Sequence, residues 1–292
     1  MKSPFNWVGN KHKFMEKVNS VVSGKHYSAV FDLFLGSGNI LLNLGCTSDR
    51  KVGNDIQRLI PMTFGSMKSM DAFSIMEVED VLERNERFST KDSYYNFRDA
   101  WNGKYTSSSF SYDRNFVLET ALLLKMCSNS MVRFNNSGVF NQGFRGLGRD
   151  SEFFKQSMLY SIVKQLNKLL CRLQSGNFKF TALDFKDFLF YNCNDALFIL
   201  DPPYTLGDKG MYNQNFSLEN ELALLEFIER TNGDFIFFNY IQHGKNTFQN
   251  LEYLLFKKDF RVIDIGDNNV SAGQGGKKDK YVREVLVTNI HL

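Results

Sequence analysis

Residues 196–204 read Ala-Leu-Phe-Ile-Leu-Asp-Pro-Pro-Tyr, and this stretch decides the fold. The five apolar residues show no polar alternation, which predicts a strand buried on both faces, as in a parallel sheet. Pro202 and Pro203 cannot continue a central strand or a helix interior. The chain therefore leaves an acid, Asp201, and an aromatic ring, Tyr204, at the carboxyl end of the strand. Ligands bind at that edge of open α/β sheets.

The tetrapeptide Asp201-Pro202-Pro203-Tyr204 suits chemistry on an amine that is conjugated into a heterocycle. The Asp201 carboxylate and the Pro202 carbonyl can both accept hydrogen bonds from an exocyclic NH2 group, and the Tyr204 ring can stack on the base. Two fixed acceptors would draw the amine hydrogens out of the ring plane and localise the lone pair. The alternative is an ordinary turn that happens to end a strand.

Bulk composition sets wide limits on the class of protein. The 292 residues fit one large domain or two small ones, and 43% hydrophobic residues suffice for a sizeable core. A net charge of +3 permits a nucleic-acid partner without requiring one. Neither a signal peptide nor an apolar run of bilayer-spanning length is present. The cysteines form no close pairs, which favours reduced thiols in a cytosol over a zinc site or a disulfide framework; they are Cys46, Cys127, Cys171 and Cys193.

A strand, a Gly-rich turn and a helix are predicted in sequence near the N-terminus. Residues 29–34 are apolar enough for a buried strand, and Leu-Gly-Ser-Gly-Asn follows at 35–39. Glycines let the backbone approach a ligand closely, and a helix N-terminus offers free N–H groups. The pattern is not G-x-G-x-x-G, so NAD is disfavoured. Asp55 ends the next predicted strand, and an acid roughly 20 residues past such a turn commonly accepts ribose hydroxyls. A solvated loop aspartate is the alternative.

Before this unit, Trp7 and Lys11 flank a predicted turn at Gly9-Asn10, and a helix is expected from about residue 11 to residue 22. Core packing of the tryptophan and a solvated helix start are the alternatives for these two residues.

Residues 63–150 interrupt the strand–helix alternation and are predicted to form an inserted, mostly helical domain with a β-hairpin. Helices are expected at 66–87, 94–101 and 115–128. Residues 129–149 then mix Arg, Asn, Gln and Gly with aromatics. Arg can pair with guanine, and Asn or Gln with adenine, so this stretch suits DNA reading. A plain surface hairpin turning at 135–138 is equally compatible with its composition.

The remaining chain restores the α/β pattern, which predicts helices on both faces of a mainly parallel sheet. Residues 1–62 and 151–292 would form this domain. Asp184-Phe185 follows a short strand, and residues 205–216 could form a mobile lid. The other expected elements are helices at 152–173, 218–231 (capped by Ser217) and 246–256, strands at 178–181, 235–240, 261–265 and 282–288, and a basic Gly-rich loop at 271–280.

Three features in fixed order resemble the Dam family, the D12 class of adenine-N6 DNA methyltransferases, especially its bacteriophage members. They are Trp-Val-Gly-Asn-Lys at 7–11, Phe-Leu-Gly-Ser-Gly at 34–38 with Asp55, and the tetrapeptide after an insert. The resemblance covers about residues 4–290. It implies a Rossmann-like S-adenosylmethionine-dependent methyltransferase sheet with an inserted target-recognition domain.

The resemblance also implies roles for individual residues. The tetrapeptide Asp201, Pro202, Pro203 and Tyr204 would form the target-base pocket. The implied cofactor-binding residues are Trp7, Lys11, Phe34, Gly36, Ser37, Gly38, Asp55, Asp184, Phe185 and Asp201. The implied DNA-binding residues are Lys11, Met131, Arg133, Asn135, Asn136, Arg145, Arg149, Ser271, Lys277 and Lys278. Two positions depart from the family pattern, with Leu35 where a small residue is usual and Gly143 where a proline is common.

The implied function is methyl transfer from S-adenosylmethionine, with S-adenosylhomocysteine as product, to N6 of an adenine in double-stranded DNA, at GATC or a related site. No metal and no obligatory protein partner would be needed, and the cytoplasm of a prokaryote or a phage-infected host would be the location. An amino-methyltransferase acting on RNA or cytosine N4 is one alternative. A DNA-binding protein that masks sites without catalysis is the other.

Overall fold

The computed structural model describes residues 1–7, 9–85, 90–146, 156–191, 193–204, 216–243, 246–267 and 282–291. Within these ranges lie nine α-helices and eight strands. The strands are β1 His26–Asp32, β2 Thr47–Asn54, β3 Phe178–Thr181, β4 Ala196–Leu200, β5 Asp234–His243, β6 Asn246–Thr247, β7 Arg261–Asp267 and β8 Val282–Thr288. The helices are α1 Met15–Val22, α2 Asn39–Asn43, α3 Leu59–Met67, α4 Ile75–Arg84, α5 Lys91–Thr106, α6 Arg114–Met126, α7 Gln156–Gln174, α8 Leu218–Arg230 and α9 Gln249–Lys257.

The strands form one mixed sheet in the order β3-β2-β1-β4-β5-β8-β7, with β6 attached to β5. Strands β3, β2, β1, β4 and β5 are parallel, and β8 is antiparallel to both β5 and β7. The predicted α/β class is thereby confirmed, and the two predicted C-terminal strands are present and pair with each other. The order reverses between β1 and β4, so the carboxyl ends of these two strands flank a crevice suited to ligands.

The central strand β4 is buried along its whole length, as its uninterrupted apolar sequence predicts. Leu197 and Ile199 join a core that includes α1, α3 and α7 on one face of the sheet. Ala196, Phe198 and Leu200 join a second core with α8 and α9 on the other face. Side chains alternate between faces along a strand, so both cores are needed to cover β4. No helix among the described residues is both long and apolar enough to cross a membrane.

Three helix predictions are wrong in their bounds. The helix expected at 94–101 is longer and runs over Lys91–Thr106. Residues 66–87 do not form one helix, because α3 ends at Met67 and α4 begins after Ser74. Ser74 and Glu77 form a reciprocal capping box that starts α4, a signature visible in the sequence. The helix expected from residue 246 begins at Gln249 instead, because Asn246–Thr247 pairs with β5.

Residues 63–150 contain α4, α5, α6 and a hairpin, while α3 crosses the expected boundary at residue 63. An aromatic cluster joins α5 and α6 to the hairpin; its members are Trp101, Tyr105, Phe116, Phe134 and Phe140. The hairpin therefore rests on a packed helical base. Residues 150–155 and 205–215, which include the start of the predicted helix at 152 and most of the predicted lid, lie outside the described residues.

Candidate active site

A cavity of about 530 Å³ lies against the loops that follow β1, β2 and β4. Among the predicted site residues, those that line it are Trp7, Lys11, Phe34, Gly36, Ser37, Asp55, Arg133, Asn135, Asn136, Asp184, Phe185, Asp201 and Pro203. Five others, Gly38, Met131, Arg145, Pro202 and Tyr204, are absent from its lining. Arg149, Ser271, Lys277 and Lys278 lie outside the described residues. Residues from distant parts of the sequence thus share one concave site.

The Gly-rich loop after β1 is fixed to the acid after β2. The Gly36 N–H donates to Oδ2 of Asp55 at 2.8 Å, and the Gln57 N–H donates to Oδ1 at 2.9 Å. Burial raises the pKa of Asp55 to about 6, with a smaller contribution from Asp201, while the two N–H donors oppose the rise. Each oxygen keeps a lone pair, so this carboxylate can accept further hydrogen bonds from a ligand.

The conformation of this loop requires glycine at position 38. Gly38 has a φ of 73°, in the left-handed region that L side chains rarely adopt. A Cβ atom there would also lie 2.6 Å from the ring of Phe64, which is too close for van der Waals contact. Gly38 therefore lies on the side of the loop that packs against Phe64, whereas Gly36 lines the cavity.

Asn54, at the end of β2, ties together the carboxyl ends of three neighbouring strands. Its amide nitrogen donates to the carbonyls of Leu33 at 3.3 Å and Leu183 at 3.1 Å. Its amide oxygen accepts from the Leu183 N–H and from the Thr181 hydroxyl, each at 2.9 Å. Asn54 is fully buried, so these bonds hold the loop that carries Asp184 and Phe185 in place. Sequence reasoning did not single out this residue.

One wall of the cavity is apolar and aromatic. Phe34 lies 5.2 Å from Phe185 and 5.9 Å from Phe216, measured between ring centroids. Ile56, which follows Asp55, is 51% exposed although it is apolar, and it lines the same cavity. Asp184 caps the short helical turn that contains Phe185 by accepting from the Lys186 N–H at 2.9 Å. This wall can contact the face of a flat ring, with carboxylates at its margin.

The N-terminal segment is bound to the Gly-rich loop through a pair of asparagines. The Asn39 amide nitrogen donates to Oδ1 of Asn10 at 2.9 Å and to the Ser37 hydroxyl at 2.8 Å. Asn10 in turn caps the 3-10 turn at Lys11–Phe14. These contacts set the direction in which the Lys11 side chain enters the site.

Lys11 ends in a buried cluster of charge at the end of β4. Its ammonium lies 3.0 Å from Oδ1 of Asp201 and 3.3 Å from Oε1 of Glu284, and it donates to the Gly9 carbonyl at 2.9 Å. Burial would lower the pKa of Lys11, but the two carboxylates outweigh it and raise that pKa above its usual value. Burial raises the pKa of Asp201, an effect that the Lys11 charge opposes. Lys11, predicted to bind the cofactor and face the recognition site, therefore contacts Asp201, the first residue of the predicted target-base pocket, directly.

Tyr204 belongs to the same cluster, although it does not line the cavity. Its hydroxyl lies 3.1 Å from Oδ1 of Asp201 and 3.0 Å from Oε1 of Glu284. Its ring packs edge-on against Tyr240 with centroids 4.4 Å apart, and the Lys11 ammonium lies 5.0 Å from its centroid. Glu284 was missed by sequence reasoning. The available signal was an acid inside the apolar strand β8.

Asp32, at the end of β1, is a second buried acid that sequence reasoning passed over. Its Oδ1 atom is buried and has no hydrogen-bond partner among the described residues. Burial raises the pKa of Asp32 well above its usual range, and the nearby charge of Asp201 adds to the effect. No group of acids, histidines or cysteines in the described ranges could hold a metal ion.

The hairpin contributes a polar rim to the cavity. Arg133 is exposed, and the side-chain oxygen of Asn135 accepts from the N–H groups of Ser137 and Val139 at 3.0 Å each. The predicted turn at 135–138 is confirmed by the bond from Gly138 N–H to the Asn135 carbonyl. Asn135 thus uses its amide oxygen to shape the turn.

The base of the hairpin is joined to the N-terminal segment, since the Val132 N–H donates to the Asn6 carbonyl at 2.9 Å. One short segment, residues 3–11, therefore contacts the hairpin, the Gly-rich loop and Asp201. A ligand in the cavity would meet all three.

The sequence matches the family of D12 class N6 adenine-specific DNA methyltransferases over residues 7–265. The chain belongs to this family. The resemblance drawn from the motifs is thereby confirmed. In this D12-class chain, the tetrapeptide follows β4 and the Gly-rich loop follows β1. The two motifs therefore lie on either side of the point where the strand order reverses.

Two curated relatives align with almost the whole of this D12-class chain. The modification methylase StsI of Streptococcus sanguinis is 27% identical over 307 aligned residues, which cover 99% of this chain and 43% of that protein. The type II methyltransferase M.FokI of Planomicrobium okeanokoites is 25% identical over 305 residues, with the same coverage of each. The chain thus spans less than half the length of these relatives.

Proposed function

We propose that this chain transfers a methyl group from S-adenosylmethionine to N6 of an adenine turned out of duplex DNA, within GATC or a related short site. One observation carries the proposal. A single cavity brings the Gly-rich loop and Asp55 together with Asp201 and with the Arg133–Asn136 rim of the hairpin. A methyl donor, a target amine and a DNA-reading loop would have to meet in such a place.

The cavity suits a nucleoside cofactor. Its volume of about 530 Å³ falls in the usual range for small-ligand sites. The Asp55 carboxylate is held by two backbone donors and retains lone pairs for ribose hydroxyls. The Phe34, Phe185 and Ile56 side chains offer apolar surface to an adenine ring, with Asp184 available to its amine. S-adenosylmethionine, when bound, supplies a methyl group already activated on a sulfonium.

At the end of β4, the residues act on the target amine. The Asp201 carboxylate and the Pro202 carbonyl accept hydrogen bonds from N6 and stabilise the positive charge that develops on it during attack. Tyr204 does not line the cavity, so its ring would have to turn toward the base to stack on it; such stacking would offset about 1–3 kcal/mol of the cost of unstacking the base from DNA. The chain's contribution is alignment and electrostatics, because the methyl group is already activated.

A base inside the duplex cannot reach Asp201, so the target has to be extruded. The helical base that carries the hairpin, within residues 63–150, is proposed as the target-recognition domain. Arg133 on the exposed rim could read a base edge or contact a phosphate. Phosphate contacts make DNA binding weaken as salt concentration rises.

A substrate panel tests the proposal. Radiolabelled S-adenosylmethionine would be incubated with the protein and duplex DNA, single-stranded DNA or RNA, with and without GATC. Transfer to duplex DNA, greater when GATC is present, is expected. Preferred transfer to RNA would instead support an RNA methyltransferase. Specific DNA binding without any transfer would support the site-masking alternative.

A further inference from the structure

Glu284 lies on β8, outside the four-residue motif and away from the cavity lining, yet it contacts Lys11 and Tyr204, the two residues that meet Asp201 after the end of β4. The side chain is buried, and strand β8 places it beside Lys11 and Tyr204. A buried acid is costly unless it is paired, so its position requires partners. Both partners also contact Asp201.

Lys11 and Tyr204 each have the same two acceptors. Oδ1 of Asp201 lies 3.0 Å from the Lys11 ammonium and 3.1 Å from the Tyr204 hydroxyl. Oε1 of Glu284 lies 3.3 Å and 3.0 Å from the same two groups. A hydroxyl has one proton, so Tyr204 donates to only one carboxylate at a time. Tyr204 can therefore move to Glu284 without losing a hydrogen bond, and Lys11, which already contacts both carboxylates, would keep its contact with Glu284.

This arrangement matters because, under the proposed function, a base amine bonds to the same carboxylate, that of Asp201. An ammonium on Oδ1 occupies acceptor capacity and weakens the attraction of Asp201 for positive charge on N6. Lys11 retains its bond to the Gly9 carbonyl, which keeps the ammonium close to Glu284 during such a shift.

We propose that Glu284 is a positioning residue that takes the Lys11 ammonium and the Tyr204 hydroxyl from Asp201 when the target amine bonds there. The inference rests on the proposed function. Glu284 acts through its charge as well as its hydrogen bonds. Two carboxylates beside one ammonium leave a net negative charge next to an amine that becomes positive.

The test compares Glu284→Gln with Glu284→Asp. Gln has the same shape and still accepts a hydrogen bond, but it lacks the charge. Asp keeps the charge and is one methylene shorter. Glu229→Gln is the matched control, because Glu229 pairs with Lys257 on the surface of α8 and does not line the cavity. The measurement is the single-turnover rate of adenine methylation with saturating duplex DNA and S-adenosylmethionine, together with the dissociation constant of each ligand.

Glu284→Gln is expected to lower the single-turnover rate roughly 10- to 100-fold, because the hydrogen bonds from Lys11 and Tyr204 are no longer charge-assisted and the net negative charge beside the amine is lost. Glu284→Asp is expected to retain more activity than Glu284→Gln, and neither should change ligand binding by more than about twofold. Glu229→Gln should behave as wild type.

A purely structural role predicts the reverse order, with the isosteric Gln harmless and the shorter Asp harmful. That order, or a Glu284→Gln rate equal to wild type, would overturn this inference alone. A wild-type protein without transfer to any adenine would overturn the proposed function, and this inference with it.

Discussion

The side chain of Asn102 pairs with the backbone of Phe140 in both directions, as a neighbouring strand would. Its nitrogen donates to the Phe140 carbonyl at 3.0 Å, and its oxygen accepts from the Phe140 N–H at 2.9 Å. Both groups are buried. A residue of helix α5 thereby fixes the returning arm of the hairpin, and this contact carries the first prediction.

Asn102→Ala should leave the Phe140 N–H and carbonyl without partners. A buried unsatisfied group costs about 1–3 kcal/mol, so the free energy of unfolding should fall by at least that amount. Affinity for duplex DNA should also fall, while cofactor affinity should hold. Urea denaturation and titrations with each ligand measure this. Asn96→Ala, an exposed change on the same helix, is the control and should stay within about 0.5 kcal/mol. Equal stability of the two variants would rule out the anchoring role.

Asp201→Ala should abolish most turnover while cofactor binding persists. Removing one preorganised group that stabilises developing charge costs roughly 10²–10³ in rate. The exposed Asp259→Ala change, in the loop before β7, serves as control. Steady-state kinetics and calorimetric titration with S-adenosylmethionine measure the two effects separately. Full activity in Asp201→Ala would refute the mechanism.

Two glycine substitutions should change stability in opposite directions. Gly38→Ala should destabilise the protein, since a left-handed residue with a Cβ costs about 1–2 kcal/mol and the added atom would overlap Phe64. Gly103→Ala should stabilise it by roughly 0.5–1 kcal/mol, because Gly103 lies within α5 and has open space around it. Thermal and urea unfolding of both variants would test this, and a neutral Gly38→Ala would contradict it.

Cofactor binding should weaken as pH falls through about 6, the value to which burial raises the pKa of Asp55. A bound ribose favours the carboxylate, so the bound state releases the proton and affinity drops by up to about tenfold per pH unit below that pKa. Calorimetric titration between pH 5 and 8 would measure it. Asp55→Asn should bind more weakly at neutral pH and lose this dependence. An unchanged pH dependence in that variant would assign the effect to another group.

Because the pKa of Asp55 is raised, its effect on the pH dependence of protein stability is opposite to that of a carboxylate whose pKa is lowered by an ion pair. Between its usual pKa and about 6, the folded state binds the proton more tightly than the unfolded state. The contribution of Asp55 to the free energy of unfolding is therefore greatest at low pH and is lost as pH rises through about 6.

The sequence predicted those parts of the site in which the functional residues also determine the local backbone conformation. An apolar run with no alternation and two prolines after Asp201 has one plausible interpretation, and β4 confirms it. The Gly-rich loop was equally readable, because Gly38 meets a local backbone requirement. The break between α3 and α4 is not evident from polar composition alone, because residues on both sides of it are polar; the local signal for it is the Ser74–Glu77 capping box that starts α4.

Residues whose role depends on distant partners could not be predicted in the same way. Asn54 acts through Leu33 and Leu183, and Glu284 acts through Lys11 at the other end of the chain. The residues next to an Asn or a Glu in a strand do not show which distant side chains or backbone groups will contact it in the folded protein. Such contacts exist only once the sheet order is known.

The most direct measurement is mass spectrometry of nucleosides from unmethylated duplex DNA that has been incubated with the protein and S-adenosylmethionine. The account predicts N6-methyladenine, dependent on Asp201, and mapping it would then give the site. N4-methylcytosine in its place would contradict the assigned target base. The absence of any modified base, with cofactor binding intact, would contradict the proposed reaction itself.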